Sequence, residues 1–238
     1  MSYLDYLLWG YFIVNPIYVY FTFEKEKQSV IDQPAKRITL YRSTILHLCL
    51  PTLILLFLVA TTDTTMYDIG FKWQWGLANQ IAVTGLVLLS GYLLLSLKQL
   101  SVDTVNHQAV RKQIAYIQWF MPTTIKESRL FIIGVSITAG VCEELLFRGY
   151  LMHLLTNFLP IYGVVIVSSL AFGLPHIYQG PIHIIRTTIF GVVMAMIYLL
   201  TDSILVPIFL HALLDMYGGA MAYIVLRKQP CEMMSEQS

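Results

Sequence analysis

Two adjacent glutamates and an arginine lie inside an apolar stretch that is long enough to cross a membrane. Glu143, Glu144 and Arg148 interrupt the run from about Leu130 to Leu155. An ionised side chain at the centre of a bilayer costs roughly 2.5 to 3.5 kcal/mol on insertion scales, so each charge needs an internal partner or a function. Sheltered carboxylates serve general acid–base catalysis and metal binding. The sequence therefore predicts a functional site within the membrane.

Helical spacing gives the two glutamates different environments. Glu144 and Arg148 are four positions apart, so they lie on the same face of a helix and can neutralise each other. Glu143 is turned by about 100° from its neighbour, and the arginine cannot readily serve both carboxylates. We expect Glu144 and Arg148 to form a buried structural pair. We expect Glu143 to face a cavity, with a hydrogen bond from another helix as the alternative.

Two later apolar segments carry further polar side chains. Pro175 and His176 end one segment, and His211 and Asp215 share one helical face of another. A proline loosens a helix, so it could aim the neighbouring imidazole into the interior. Small residues let membrane helices approach closely, and we expect them to gather the glutamate and both histidines in one pocket. These small residues are Gly134, Ala139, Gly140, Ser168, Ser169, Ala171 and Gly173.

The composition is that of an integral membrane protein. Hydrophobic residues make up 57% and charged residues 12% of the chain, whereas soluble domains carry about 25% charged residues; the mean hydropathy is +0.66. A net charge of +1 and the lack of a phosphate loop or basic helix argue against nucleic-acid binding. Apolar runs near 20 residues predict an all-α transmembrane bundle of about seven spans. The runs are Tyr3–Phe23, Ser43–Thr62, Gly76–Leu97, Leu130–Leu155, Ile161–His176, Ile182–Thr201 and Ser203–Leu226.

The distribution of basic residues predicts orientation and organisation. Lysine and arginine concentrate in the first and third connections, which places the N-terminus outside and the C-terminus in the cytoplasm. The third connection divides the chain into amino-terminal helices with a linker (1–129), a core with nearly all intramembrane ionisable groups (130–226) and a polar tail (227–238). The amphipathic segment from Val110 to Phe120 could lie along the membrane surface, or be a solvated linker.

Three motifs in series resemble those of the CAAX protease and bacteriocin-processing (Abi, CPBP) family, which includes the Ras-converting type of prenyl endopeptidase. The motifs are Glu143-Glu144-x-x-x-Arg148, Phe172-x-x-x-His176 and His211-x-x-x-Asp215. One motif alone would be weak, but all three in order on apolar helices are specific. The resemblance covers Leu130 to Leu226. It implies an intramembrane glutamate endopeptidase without a cofactor, which cleaves near the C-terminus of a membrane-associated or lipidated peptide in a cavity open to the cytoplasm.

The resemblance also implies roles for the motif residues. Glu143, assisted by His176, would activate a water molecule, and His211 would stabilise the oxyanion. Asp215 stands where the prenyl endopeptidases have asparagine. An ionised carboxylate cannot donate a hydrogen bond, so Asp215 is expected to hold the tautomer of His211, although packing alone would also explain it. Structural support would come from Glu144, Arg148 and Phe172.

Other functions use the same residues. Zinc could be held by Glu143, His176, His211 and Asp215, although the His-Glu-x-x-His helix of zinc proteases is absent. A non-catalytic peptide-binding or bacteriocin-immunity protein would keep the fold and the pocket. An ion or proton transporter would also need intramembrane carboxylates and histidines. The short chain, with no basic tract typical of an organelle, favours a bacterial inner membrane over the endoplasmic reticulum; its oligomeric state stays open.

Overall fold

The structure is a computed structural model that describes residues 2–227, and within that range it is helical without a strand. A helix forms at each of the seven predicted positions, which confirms the polytopic helical bundle. The helices are α1 Tyr3–Asp32, α2 Lys36–Thr61, α3 Leu77–Val102, α4 His107–Ile114, α5 Ile125–Leu155, α6 Ile161–Gly173, α7 Pro181–Thr201 and α8 Leu205–Leu226. A 3₁₀ segment, Leu174–Gln179, continues α6.

Six helices of the described chain are long and apolar enough to cross a membrane: α2, α3, α5, α6 with its 3₁₀ segment, α7 and α8. The first predicted span lies in α1, which is not among the six. That helix runs past the predicted end at Phe23, through a charged segment, to Asp32. The protein is therefore an integral membrane protein, while the count of seven spans, the orientation and the three-part division of the chain stay predictions.

Helix α5 is the central helix of the bundle. In its most apolar window 56% of the residues are buried, against 6% in α3. Two stretches of α5, Leu130–Val135 and Glu144–Leu151, are π-helical, and the α-helical segment Ser136–Glu143 separates them. Short π-helical stretches are rare and frequently occur at functional sites. Glu143 and Glu144 thus lie at a junction between two helical geometries.

Helix α4 and the turns after it pack onto the ends of other helices. Ile114 and Ile117 are buried in one apolar cluster with Tyr41 of α2, Phe131 of α5 and Leu226 of α8. The segment predicted to be amphipathic is helical only as far as Ile114. Because these side chains are buried, the segment is not a freely solvated linker. Its position relative to a membrane surface stays a prediction.

Close helix contacts occur at small residues, as the sequence predicted. A Cβ atom added to Gly140 of α5 would lie 2.8 Å from the backbone nitrogen of Ala212 in α8. A Cβ atom on Gly191 of α7 would lie 3.1 Å from the Cα atom of Ser169 in α6. Only a residue without a side chain allows such backbone approach. The contact at Gly140 brings His211, the neighbour of Ala212, towards the two glutamates of α5.

Candidate active site

Glu144 and Arg148 form the buried ion pair that their spacing predicted. The Nη1 atom of Arg148 lies 3.0 Å from Oε1 of Glu144, and both side chains are fully buried. Arg148 also donates from Nη2 to the carbonyl oxygen of Gly191, at 3.3 Å. Its guanidinium lies 4.2 Å from the ring centroid of Phe172, a cation–π geometry. One side chain therefore connects α5 to α6 and α7.

His211 lies among three carboxylates. Its Nδ1 atom is 2.8 Å from Oε1 of Glu144, and its Nε2 atom is 3.5 Å from Glu143 and 3.7 Å from Asp215. An ionised carboxylate only accepts, so Nδ1 carries a hydrogen in this bond. The hydrogen-bonded partner of the ring is therefore Glu144, whereas the sequence assigned that place to Asp215. The within-helix spacing of His211 and Asp215 gave no sign that a carboxylate of α5 would be nearer.

Glu143 differs sharply from its neighbour. Its side chain is 17% exposed, and it makes no hydrogen bond to any residue in the range 2–227. It lines a cavity of about 230 Å³ together with His176. The structure thus places Glu143 at a cavity, as its helical face predicted, with His211 Nε2 as the nearest charged partner at 3.5 Å.

His176 is held by the 3₁₀ segment that follows α6. Pro175 lies in the first turn of that segment, and because it has no N–H it cannot continue the α-helical hydrogen bonds of α6. The Nδ1–H of His176 donates to the carbonyl oxygen of Phe172 at 3.0 Å, because a carbonyl can only accept. The Nε2 atom is left for another partner. Phe172 is buried, and its ring centroid lies 5.2 Å from that of His176 and 5.8 Å from that of His211, so it forms a wall between the histidines and Arg148.

The first two helices supply much of the cavity wall, which the sequence reasoning missed. Asn15 of α1 and His47 of α2 line the cavity, and His47 Nε2 lies 2.7 Å from Asn15 Oδ1. The sequence did contain a signal, because these are polar side chains in otherwise apolar stretches. The sequence places nearly all intramembrane ionisable groups in residues 130–226, and these two side chains lie outside that range.

A metal site was the alternative assignment for the same residues. In residues 2–227, no group of three or more His, Cys, Asp or Glu side chains is arranged so that it could hold a metal ion. His211 instead uses Nδ1 for Glu144, and His176 uses Nδ1 for a backbone carbonyl. No chemical step is therefore derived through zinc.

The fold and the site together define a class: an integral membrane protein with carboxylates and imidazoles gathered among its helices. Residues 125–217 match the family model described as Rce1-like, type II CAAX prenyl endopeptidase Rce1-like. Over this segment the chain is similar to the CAAX protease and Abi family, as the three motifs indicated. No curated protein and no solved structure matches the chain. The matched segment contains all three motifs but none of the helices α1 to α4.

Proposed function

We propose that the protein is a CAAX-type intramembrane endopeptidase that uses Glu143 to activate water. The observation that carries this proposal is the carboxylate of Glu143, which lines a cavity together with His176 and lies next to a fully buried ion pair. The family match supports a peptidase reaction. The substrate would be a membrane-associated or lipidated peptide cleaved near its C-terminus, and the location a bacterial inner membrane.

The hydrolysis needs a base, a positioned water and an oxyanion donor. Glu143 takes a proton from the water, while the unprotonated Nε2 of His176 accepts a hydrogen bond from it and orients it. The water oxygen then forms a bond to the scissile carbonyl carbon, and the carbonyl oxygen becomes an oxyanion. When the C–N bond breaks, Glu143 returns the proton to the leaving nitrogen. The first products are a carboxylic acid and an amine, and proton transfer from the acid to the amine gives a carboxylate and an ammonium group, with no covalent intermediate.

His211 can stabilise the oxyanion because other groups hold its ring. With Nδ1 donating to Glu144, a proton on Nε2 makes the ring cationic and lets it donate towards the substrate oxygen. Glu143 and Asp215, at 3.5 and 3.7 Å from Nε2, offset that positive charge. In this scheme Glu144 orients the ring, Arg148 fixes Glu144, and Asp215 contributes charge. Such fixed donors stabilise a transition state without reorganisation.

Replacement of Glu143 tests the proposal. Glu143→Gln keeps the shape of the side chain but removes the base, so cleavage should fall roughly 10²- to 10⁴-fold while the unfolding temperature stays the same. The assay uses the purified protein in lipid nanodiscs with a mixture of N-terminally palmitoylated peptides of randomised sequence, and mass spectrometry of the products. Glu24→Gln, at an exposed position of α1, is the control.

Three outcomes would contradict the proposal. Undiminished cleavage by the Glu143→Gln variant would remove Glu143 from the mechanism. Loss of cleavage with a chelator, restored by zinc, would replace the metal-free scheme with the zinc alternative. A wild-type protein that binds the peptides without cleaving them would be a peptide-binding protein.

A further inference from the structure

The cavity at Glu143 continues as a groove between α1 and α2. On α1 its lining residues recur at about one-turn spacing, from Asn15 through Thr22 to Glu26. At 1.5 Å per residue this stripe is about 16 Å long. An extended peptide rises about 3.3 Å per residue, so the groove has the length of about five residues. We call this surface, from Asn15 to Glu26 and its facing residues on α2, the α1–α2 groove.

The two ends of the groove differ. At the inner end, Leu48 of α2 packs with Cys142, the neighbour of Glu143. At the outer end, Leu40 lines the groove beside Phe120, and the charged end of α1 supplies Glu26. The candidate reaction site and an acidic side chain therefore lie at opposite ends of one cavity.

Polar groups along the groove have unused hydrogen-bonding capacity. His47 donates from Nε2 to Asn15, so the amide N–H groups of Asn15 and the Nδ1 atom of His47 have no partner among residues 2–227. Thr22 and Thr44 donate their hydroxyl hydrogens to carbonyls of their own helices, at 2.9 and 3.0 Å, which leaves their oxygen lone pairs as acceptors. A peptide backbone needs both donors and acceptors, and this surface offers both.

Glu26 is an acidic group without a counter-charge. It forms no ion pair or hydrogen bond with any residue of the described chain. The adjacent Lys27 pairs with Glu24 instead, at 3.7 Å. Partial burial raises the pKa of Glu26. A bound cation would offset the cost of that burial. The outer end of the groove is therefore complementary to a positively charged side chain.

We propose that the α1–α2 groove binds the substrate peptide in an extended conformation, with the scissile bond at Glu143 and a lysine or arginine side chain at Glu26. The basic residue lies about three to five positions from the scissile bond, given about 3.3 Å per residue. The position of the scissile bond rests on the proposed function. The groove walls on α1 and α2 lie outside the family match at residues 125–217, so this selectivity is a property of the amino-terminal helices.

A charge reversal tests the proposal. Wild type, Glu26→Lys and Glu24→Lys are given the same mixture of palmitoylated, randomised peptides in nanodiscs. Products of the wild type should favour lysine or arginine over acidic residues at one such position by roughly five- to tenfold, a modest ratio because Glu26 is only partly buried. Glu26→Lys should abolish or invert this preference. Glu24→Lys should keep it, because Glu24 is exposed and does not line the cavity.

A binding measurement separates this proposal from the proposed function. Glu143→Gln, alone and with Glu26→Lys, is incubated with the same peptides, and bound peptides are recovered and sequenced. Preferential capture of basic peptides that depends on Glu26 supports the groove even if the wild type cleaves nothing. Cleavage that depends on Glu143 but shows no basic preference, or an unchanged preference in Glu26→Lys, overturns the groove and leaves the function. Absence of both cleavage and selective capture overturns both.

Discussion

Helix α5 carries two buried Arg–Glu pairs that are chemically alike but have different surroundings. At its start Arg37 of α2 meets Glu127 at 2.9 Å, and in its middle Arg148 meets Glu144 at 3.0 Å. The side chains are 8% and 5% exposed in the first pair and fully buried in the second. What differs is the set of groups around each carboxylate.

The carboxylate at the start of α5 accepts several hydrogen bonds, all of them on its Oε2 atom. Glu127 accepts from the backbone nitrogens of Thr123 and Thr124, at 2.8 and 3.1 Å, and from the hydroxyl of Thr123 at 3.0 Å. It also closes a capping box with Thr124. Arg37 donates in addition to the carbonyl oxygen of Trp119, at 3.0 Å. A carboxylate is favourable at a helix N-terminus, and its contacts here hold α2 and the turn before α5 against the start of α5.

The pair in the middle of α5 keeps unused polar capacity. The Oε2 atom of Glu144 and the Nε atom of Arg148 have no hydrogen-bond partner within residues 2–227. The other oxygen of Glu144 is shared between Arg148 and His211, beside a cavity that Glu143 lines. Unsatisfied buried polar groups are costly and call for an explanation. We therefore expect the first pair to serve stability, and the second to serve both stability and the proposed site.

Replacing both members of the middle pair should lower cleavage activity far more than stability. In Glu144→Leu/Arg148→Met, apolar groups of similar size replace the ions, and such exchanges are often neutral for folding. His211 loses its Nδ1 partner, which costs about 1 to 3 kcal/mol for this one group while it stays buried. Cleavage should fall by roughly 10²- to 10⁴-fold, the range for loss of a positioned acid–base group or its orienting carboxylate. Peptide cleavage and thermal unfolding in detergent measure the two effects.

The matched double variant at the start of α5 should lower stability and leave cleavage activity nearly unchanged. Glu127→Leu/Arg37→Met leaves two backbone N–H groups without their acceptor, which costs about 1 to 3 kcal/mol each when they stay buried. The site residues are untouched, so cleavage per folded molecule should stay near the wild-type value. Equal loss of activity in both double variants would remove the proposed difference between the pairs.

Single arginine replacements should rank the two pairs by stability. Arg148→Met removes the arginine that neutralises the buried Glu144 and leaves it the hydrogen bond from His211, so the free energy of unfolding should fall by about 3 to 5 kcal/mol. Arg37→Met should cost less, about 1 to 2 kcal/mol, because Glu127 retains three other hydrogen bonds. Denaturant titrations in detergent compare the two variants. A larger loss of stability in Arg37→Met than in Arg148→Met would contradict the idea that the other hydrogen bonds of Glu127 limit the cost.

Hydropathy and helical spacing were sufficient to predict the helices and one of the two Arg–Glu pairs. Glu144 and Arg148 are four residues apart, so their contact depends only on local geometry. Arg37 and Glu127 are 90 positions apart, and His211 and Glu144 are 67 apart. Contacts between distant segments depend on which helices pack together, and apolar patterns do not specify that choice.

The same limit explains the missed cavity wall. Asn15 and His47 each looked like an isolated polar group in an apolar helix, and only the packing of α1 against α2 joins them. The π-helical stretches of α5 were also unforeseen, because the apolar pattern of α5 does not distinguish them from α-helix. The motifs located the candidate site residues, whereas the tertiary packing determined which of them contact each other.

A smaller perturbation should disturb the site without removing any polar group. In Gly140→Ala the new Cβ atom would lie 2.8 Å from both the backbone nitrogen and the Cβ atom of Ala212. The backbone of α8 must move, and His211 moves with it. We expect a loss of about 1 to 3 kcal/mol in the free energy of unfolding, the usual cost of overpacking. Cleavage should fall by at most about 10²-fold, the effect of a misplacement near 1 Å.

Gly85→Ala in α3 is the matched control for this variant. Its added Cβ atom would have no neighbour within 4 Å, and α3 is the least buried of the six long apolar helices in the described chain. Alanine in an exposed helix is favoured over glycine by roughly 0.5 to 1 kcal/mol, so stability should stay equal or rise slightly. If Gly140→Ala behaved like Gly85→Ala in both unfolding and cleavage, the close contact of α5 with α8 would not be what positions His211 beside the glutamates.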